Sequence, residues 1–392
     1  MKTFILLLLV SVKLFAEQTG VGLVVRHPGT LEPTPYRFEI SKGVLWHSNA
    51  NFDYVGGECP TFISHGTCHL NLSWLGATVV DWQPYIFLQD NHGKVWVAQR
   101  SSLDSITWTW KEVGCPFTDS NGKEKCGEML KGLGATSVRD GLNEPQRPYL
   151  FAVAPFSSNT SKVWNLWRDK NEAWHWSDLG CPKDCNMRLG GLGAISVLDY
   201  SSPSERPYLF VTVDNTSKVW NLWWNTDKLK WYWSDLGCPD GKCALSAKGL
   251  GNMMTSSMLR YKTEGPKRPF VFVAEANNPD KAYYLRWTRE EKWAWNHLIL
   301  EKTANIIGVV SMDYYGEIVP VIVSERKDKY LQFSYLDSNN DTKWLGKKEA
   351  CPSCDFRSVI PISGTHSPNG SGAIVVYRSF VEKWPEFKTY SF

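Results

Sequence analysis

Residues 147–182 read RPYLFAVAPFSSNTSKVWNLWRDKNEAWHWSDLGCP, and residues 206–239 read RPYLFVTVDNTSKVWNLWWNTDKLKWYWSDLGCP. These are two copies of one unit. Arg147-Pro-Tyr-Leu-Phe151 returns as Arg206-Pro-Tyr-Leu-Phe210 and more loosely as Arg268-Pro-Phe-Val-Phe272. Trp108-Thr-Trp110 and Trp293-Ala-Trp295 are weaker copies of Trp174-His-Trp176 and Trp231-Tyr-Trp233. Gly132-Leu-Gly134, Gly191-Leu-Gly193 and Gly249-Leu-Gly251 mark another recurring slot, with Trp74-Leu-Gly76 as an outlier. The Cys-Pro landmarks at 59, 115, 181, 238 and 351 are 56, 66, 57 and 113 residues apart, the last being two periods with one landmark lost near Asn296–Ile299. A fixed period of this length is the signature of a repeat architecture.

Each unit holds four short β-like runs. In the best-preserved one they are Ala194–Leu198, Tyr208–Val213, Lys218–Trp224 and Trp231–Leu236, separated by Ser, Pro, Asn and Asp turn chemistry. Four strands per unit, repeated radially, predict an all-β fold, a β-propeller, in which each sheet buries both faces against its neighbours. Innermost strands start near Gly20, Ala77, Ala135, Ala194, Met253, Ile307 and Arg357, which predicts seven four-stranded blades. The first unit is degenerate (Tyr36–Ile40, Val44–His47, Tyr54–Gly57), and the last has room for about three strands. Composition agrees. Twenty of the 392 residues are Trp, and 14% are aromatic, a bias toward pleated sheet. With 43% hydrophobic residues the chain has material for a core, and a net charge of +3 without basic blocks argues against nucleic acid as a partner. No apolar run after residue 20 approaches membrane-spanning length.

The N-terminus, MKTFILLLLVSVKLFA, has a basic residue, an apolar stretch and Ala16, the pattern of a secretory signal over residues 1–16, leaving one propeller domain over 17–392. Ten cysteines fall into five local pairs, Cys59 with Cys68, Cys115 with Cys126, Cys181 with Cys185, Cys238 with Cys243 and Cys351 with Cys354. Because the pairs occupy one slot of the repeat, each is expected to close its own disulfide loop in a secreted protein. No metal and no cofactor is expected, since every cysteine has a nearer cysteine partner. Asn71, Asn159, Asn215, Asn340 and Asn369 open N-glycosylation sequons.

An inner Gly-Ala-type strand is followed by Pro-Tyr-Leu-Phe-Val, Val-Trp-Asn-Leu-Trp and Trp-x-Trp-Ser-x-Leu-Gly, in that order. This order resembles the PLL-like seven-bladed β-propeller lectins, first known as bacterial fucose-binding proteins. The resemblance covers nearly all of the mature chain and is strongest over 135–300. It implies binding of fucose or related sugars in shallow pockets between adjacent blades, at several sites per ring. The Cys-Pro loop after the fourth strand is a departure from that pattern. Reading the residues alone gives a parallel case. Sugar C–H patches stack on aromatic faces, and planar polar groups fix hydroxyls. Trp167, Arg168, Trp223 and Trp224 end third strands, and Trp174 and Trp231 start fourth strands, beside turns where a pocket forms. Asn165 and Asn221 offer amides nearby. Strand alternation places Trp164, Trp176, Trp220 and Trp233 inside instead.

A protein-binding scaffold and a propeller glycosidase or sialidase are the competing classes. A glycosidase needs paired carboxylates or an activated tyrosine. Asp178 and Asp235 recur at one repeat position, which suits a turn hydrogen bond better than a single active site. Ser102-Leu-Asp104 before Thr107-Trp108 only faintly resembles a sialidase turn, and no hydrolase or P-loop motif is present. The reading is therefore a non-catalytic, secreted lectin with glycans or glycoproteins as partners.

Overall fold

The structure is a computed structural model. It describes residues 20–391 apart from connecting segments, the longest being 26–33, 101–107, 155–161, 250–257 and 260–267; side chains are described mainly between residues 70 and 346. The candidate signal, Asn159, Asn215, Asn369, Cys185 and Cys351 lie outside the described residues, as do the side chains of Cys68, Asn340 and Cys354. No helix among the described residues is long and apolar enough to cross a membrane.

The chain is all-β, built of successive antiparallel meanders. The first sheet is Gly20–Val25, Thr34–Ser41, Val44–Asn49 and Phe52–Glu58. The second is Ser73–Val80, Gln83–Gln89, Val95–Arg100 and Trp108–Gly114. The third is Lys131–Val138, Arg147–Val153, Val163–Arg168 and Trp174–Asp178. The fourth is Leu189–Leu198, Glu205–Val213, Val219–Asn225 and Lys230–Asp235. In the fifth, Ala247–Gly249 and Met258–Leu259 both pair with Arg268–Glu275, followed by Asn278–Trp287 and Trp293–Ile299. The sixth is Thr303–Tyr314, Glu317–Arg326, Tyr330–Asp337 and Asn340–Ala350, and the seventh has three strands, Cys354–Ser367, Gly370–Ser379 and Pro385–Ser391. A two-stranded ribbon, Phe62–Ile63 with Thr67–Cys68, lies between the first and second sheets in sequence.

Successive sheets touch, and Gly20–Val25 meets both Cys354–Ser367 and Ser73–Val80, so the two ends of the chain come together. The core is accordingly split into slabs, each between two neighbouring sheets. One slab joins Leu75, Phe87 and Val97 of the second sheet to Leu150 and Leu166 of the third; the next joins Phe151 and Val163 to Leu209 and Leu222. Both faces of the second to fifth sheets are thereby covered. That is why Leu150-Phe-Ala-Val153 is a continuous apolar run rather than an alternating one.

The fourth sheet's inner strand starts at Leu189, earlier than the Ala194 expected from the sequence, because a bulge lets pairing continue. Gly191 pairs with Val211 and Gly193 with Phe210, leaving Leu192 extra. The same shift falls between Gly132 and Gly134, and between Trp74 and Gly76. The extra leucines, Leu75, Leu133 and Leu192, are buried. A bulge adds one residue and re-aims it; here it turns a leucine into the packing between inner strands.

Two aromatic contacts recur at the sheet junctions. The first is edge-to-face. Trp108 meets Phe38, Trp174 meets Phe87, Trp231 meets Phe151, Trp293 meets Phe210 and Trp344 meets Phe272, with centroids 5.6, 6.0, 5.7, 5.7 and 6.1 Å apart. The second is a hydrogen bond. The indole N–H of Trp176, Trp233 and Trp295 donates to the carbonyl of Val113, Leu179 and Leu236 in the preceding sheet, at 3.2, 3.1 and 2.9 Å. Replacing any of these three by Phe keeps the ring and strands the carbonyl. Each variant should lose about 1–2 kcal/mol in denaturant unfolding, the net value of a hydrogen bond plus part of the desolvation cost.

Cys115–Cys126 and Cys238–Cys243 are disulfides inside single repeats, and Cys59 and Cys181 are disulfide-bonded too. Glu124 lies beside the first of these bridges, where its Oε1 accepts from the Cys115 N–H at 2.7 Å. Peptide mapping without reductant should recover all five local pairs; a peptide joining two repeats would contradict the one-loop-per-repeat pattern.

Candidate functional site

In an antiparallel meander the third strand's end, the fourth strand's start and the turn between them share one end of the sheet. There, Tyr149, Trp167 and His175 lie opposite one another across three strands, as do Tyr208, Trp223 and Tyr232 one unit later. Both sets form ladders of rings. Tyr149 is 6.3 Å from Trp167 at 18°, and His175 is 5.0 Å from it on the other side. Tyr208 is 6.3 Å from Trp223 at 15°, with Tyr232 5.6 Å away. Each middle indole donates to a serine hydroxyl at 3.1 Å, Trp167 to Ser177 and Trp223 to Ser234. This gives the recurring Trp-x-Trp-Ser its physical reason.

The residues that the sequence offered for sugar contact differ in how far they are buried. Trp167 and Trp223 each stand between two other rings of a ladder and are half-buried. Trp174 and Trp231 make the edge-to-face contact found at five junctions and remain half-buried beside it. Asn165 and Asn221 are 1% and 2% exposed, and the Asn165 amide donates to the Leu150 carbonyl at 3.1 Å. They are interior groups, away from solvent. Among the residues expected inside, Trp220 is buried, while Trp164, Trp176 and Trp233 are half-buried.

Consecutive strand residues face opposite ways, so Trp167 and Arg168 serve different junctions. Tyr149 packs into the slab between the third and fourth sheets, together with Trp231 and Trp233. Trp224 lies opposite Trp231 and meets it edge-to-face at 5.5 Å. The junction of the third and fourth sheets therefore has the ladder Tyr149–Trp167–His175 on one wall and the Trp224–Trp231 corner on the other. The next junction repeats this with Tyr208–Trp223–Tyr232 and a Trp287–Trp293 corner, rings 5.2 Å apart. Trp287, Trp293 and the outer rungs were not among the sequence candidates, although the weaker Trp293-Ala-Trp295 copy signalled the slot. The junction before them is different. Arg168 places its guanidinium 5.3 Å from the ring of buried Tyr85, beside Trp174. Burial pushes the Tyr85 phenol up, partly offset by that cation.

Charge also differs along the row. His175 Nε2 lies 3.0 Å from Asp169 Oδ2, and hydrogen bonds from His175 and the Ala173 amide hold the Asp169 carboxyl below its usual range. Arg147 sits 5.8 Å from the Trp167 ring and pairs with Asp140. Asp178 and Asp235, the recurring carboxylates, accept from Gly180 and Gly237 N–H at 2.9 and 3.0 Å, the turn role that the sequence suggested. Tyr283 donates to Glu275 at 2.8 Å, a pairing that a tyrosine nucleophile could use. The tyrosine is 5% exposed, and burial and that carboxylate push its phenol up to about 12, which suits a core bond better than attack.

No protein-family model and no curated protein matches the chain. Solved structures do. The BP39L lectin of Burkholderia pseudomallei has a TM-score of 0.53 at 13% identity, over 95% of this chain and 99% of that one. AofleA of Arthrobotrys oligospora has a TM-score of 0.48 at 12% identity, over 84% and 88%. The lectin of Aleuria aurantia, a six-bladed β-propeller with its own mode of fucose recognition, has 0.42 at 13% identity, over 82% and 96%. At such identities the likeness is one of fold.

Proposed function

We propose that the protein is a secreted, non-catalytic lectin, a closed propeller of seven blades that holds fucose-like or related glycans at junctions between blades. The observation that carries this reading is the repeated ladder-and-corner at two consecutive junctions, at the same end of the sheets. A junction flanked by rings that are not fully buried suits the mixed apolar and hydroxylated surface of a sugar. The likeness in fold to a lectin supports it. Each junction buries little of a monosaccharide, so single-site affinity is weak, and useful binding comes from several junctions meeting one glycan-coated surface. The test is a broad glycan array probed with the protein, followed by competition with free sugars. Binding that is competed by one sugar class is the expected result. An array without signal would favour the protein-binding scaffold.

A further inference from the structure

We propose that the junction between the fourth and fifth sheets takes an acidic sugar, one bearing a sulfate or carboxylate, whereas the junction before it does not. This rests on the lectin reading above. The two ladders match until their last rung. At His175 the rung is paired with the Asp169 carboxylate at 3.0 Å, so a carboxylate stands at that end. At Tyr232 the surroundings are reversed. Lys230 Nζ lies 4.8 Å and Lys228 Nζ 5.8 Å from the ring centroid. Trp223 stacks on Tyr232 at 5.6 Å, and two ammoniums stand within 5.8 Å of the centre of the same ring.

Both lysines are exposed, and neither pairs with a carboxylate among the described residues, Asp227 of the same turn included. The turn is fixed, since Asn225 Oδ1 accepts the Lys228 N–H at 2.9 Å. Leu229 between them is 73% exposed at φ 50°, so apolar surface stands beside the two cations. A sugar ring with an acidic substituent matches that combination. Trp220 is also flanked by two lysines, but its ring is buried and Lys218 is neutralised by Asp235 at 2.7 Å, so nothing can land there.

The experiment compares galactose, galactose 6-sulfate and galacturonic acid by calorimetry at low and high salt. The parent protein and Lys228→Ala/Lys230→Ala are used, with melting temperature as the folding check. Two added ion pairs should favour the acidic sugars by up to about tenfold at low salt, fading at high salt. In the double variant that ratio should fall to about one, and Lys228→Arg/Lys230→Arg should restore it. Asp169→Asn, which removes the carboxylate beside the preceding junction, should not lower the ratio. If the parent binds the neutral sugar and gains nothing from sulfate or carboxylate, this inference fails and the lectin reading stands. If the gain survives in the double alanine variant, the lysines are not its source and the inference fails. If other neutral sugars bind on the array while none of these three binds, the inference fails alone; if no glycan binds, both readings fail.

Discussion

Gly132→Ala should cost at least about 3 kcal/mol, the upper end of overpacking or beyond, read as a lower denaturant midpoint and melting temperature. A Cβ there would lie 1.8 Å from the Leu75 carbonyl oxygen and 2.6 Å from its carbon, so the obstacle is backbone of the neighbouring sheet rather than a side chain that can turn away. Gly191 repeats the contact one unit later, with the Leu133 oxygen at 2.5 Å, and Gly191→Ala should also destabilise, though less. Gly76→Ala should be the mildest, because its Cβ would come no nearer than 3.2 Å, to the Ala135 and Leu150 side chains. The order Gly132, Gly191, Gly76 is the content of the prediction. Equal melting temperatures for all three would mean that the inner strands do not approach as described.

Trp223→Ala should cost about 3 kcal/mol, the lower end for a large aromatic truncation since the ring is half-buried. It removes the middle rung between Tyr208 and Tyr232 and leaves the Ser234 hydroxyl without its donor. Trp167→Ala should behave alike, leaving Tyr149, His175 and Ser177. Trp224→Ala should differ. That indole is half-buried, lies one residue before the end of its strand and meets Trp231 edge-to-face rather than standing inside a ladder. Its loss should cost about 1 kcal/mol of stability and the stacking part of sugar affinity at that junction, about tenfold. Thermal melts of the three variants separate ladder from corner.

The repeat was legible because sheet packing reuses the same contacts. Trp-x-Trp-Ser-Asp-Leu-Gly recurs since its first Trp meets a Phe of the preceding sheet, its second donates to that sheet's backbone, its serine accepts from the ladder and its aspartate caps the turn. Strand positions in the fourth sheet follow from that repetition, apart from the earlier start of its inner strand. The site was less legible. Adjacent residues Trp167 and Arg168 necessarily face opposite ways, yet the sequence does not say which neighbour lies on which side. Grouping Trp167, Arg168 and Trp174 by unit therefore mixed two junctions. Tyr149 and Tyr208 sit in a motif that reads as core, and only the cross-strand register shows that they stack on the tryptophans. Gly-Leu-Gly was visible as a landmark, but the bulge and the close approach behind it depend on the next sheet.

Glycan binding and melting temperature measured together on the parent, Trp224→Ala and Trp167→Ala separate sugar contact from sheet packing. The parent should bind a glycan class on the array, Trp224→Ala should melt near the parent and bind about tenfold more weakly at the affected junction, and Trp167→Ala should melt well below both. A parent that binds no glycan, or a Trp224→Ala variant that binds as the parent does, would contradict sugar binding at that junction.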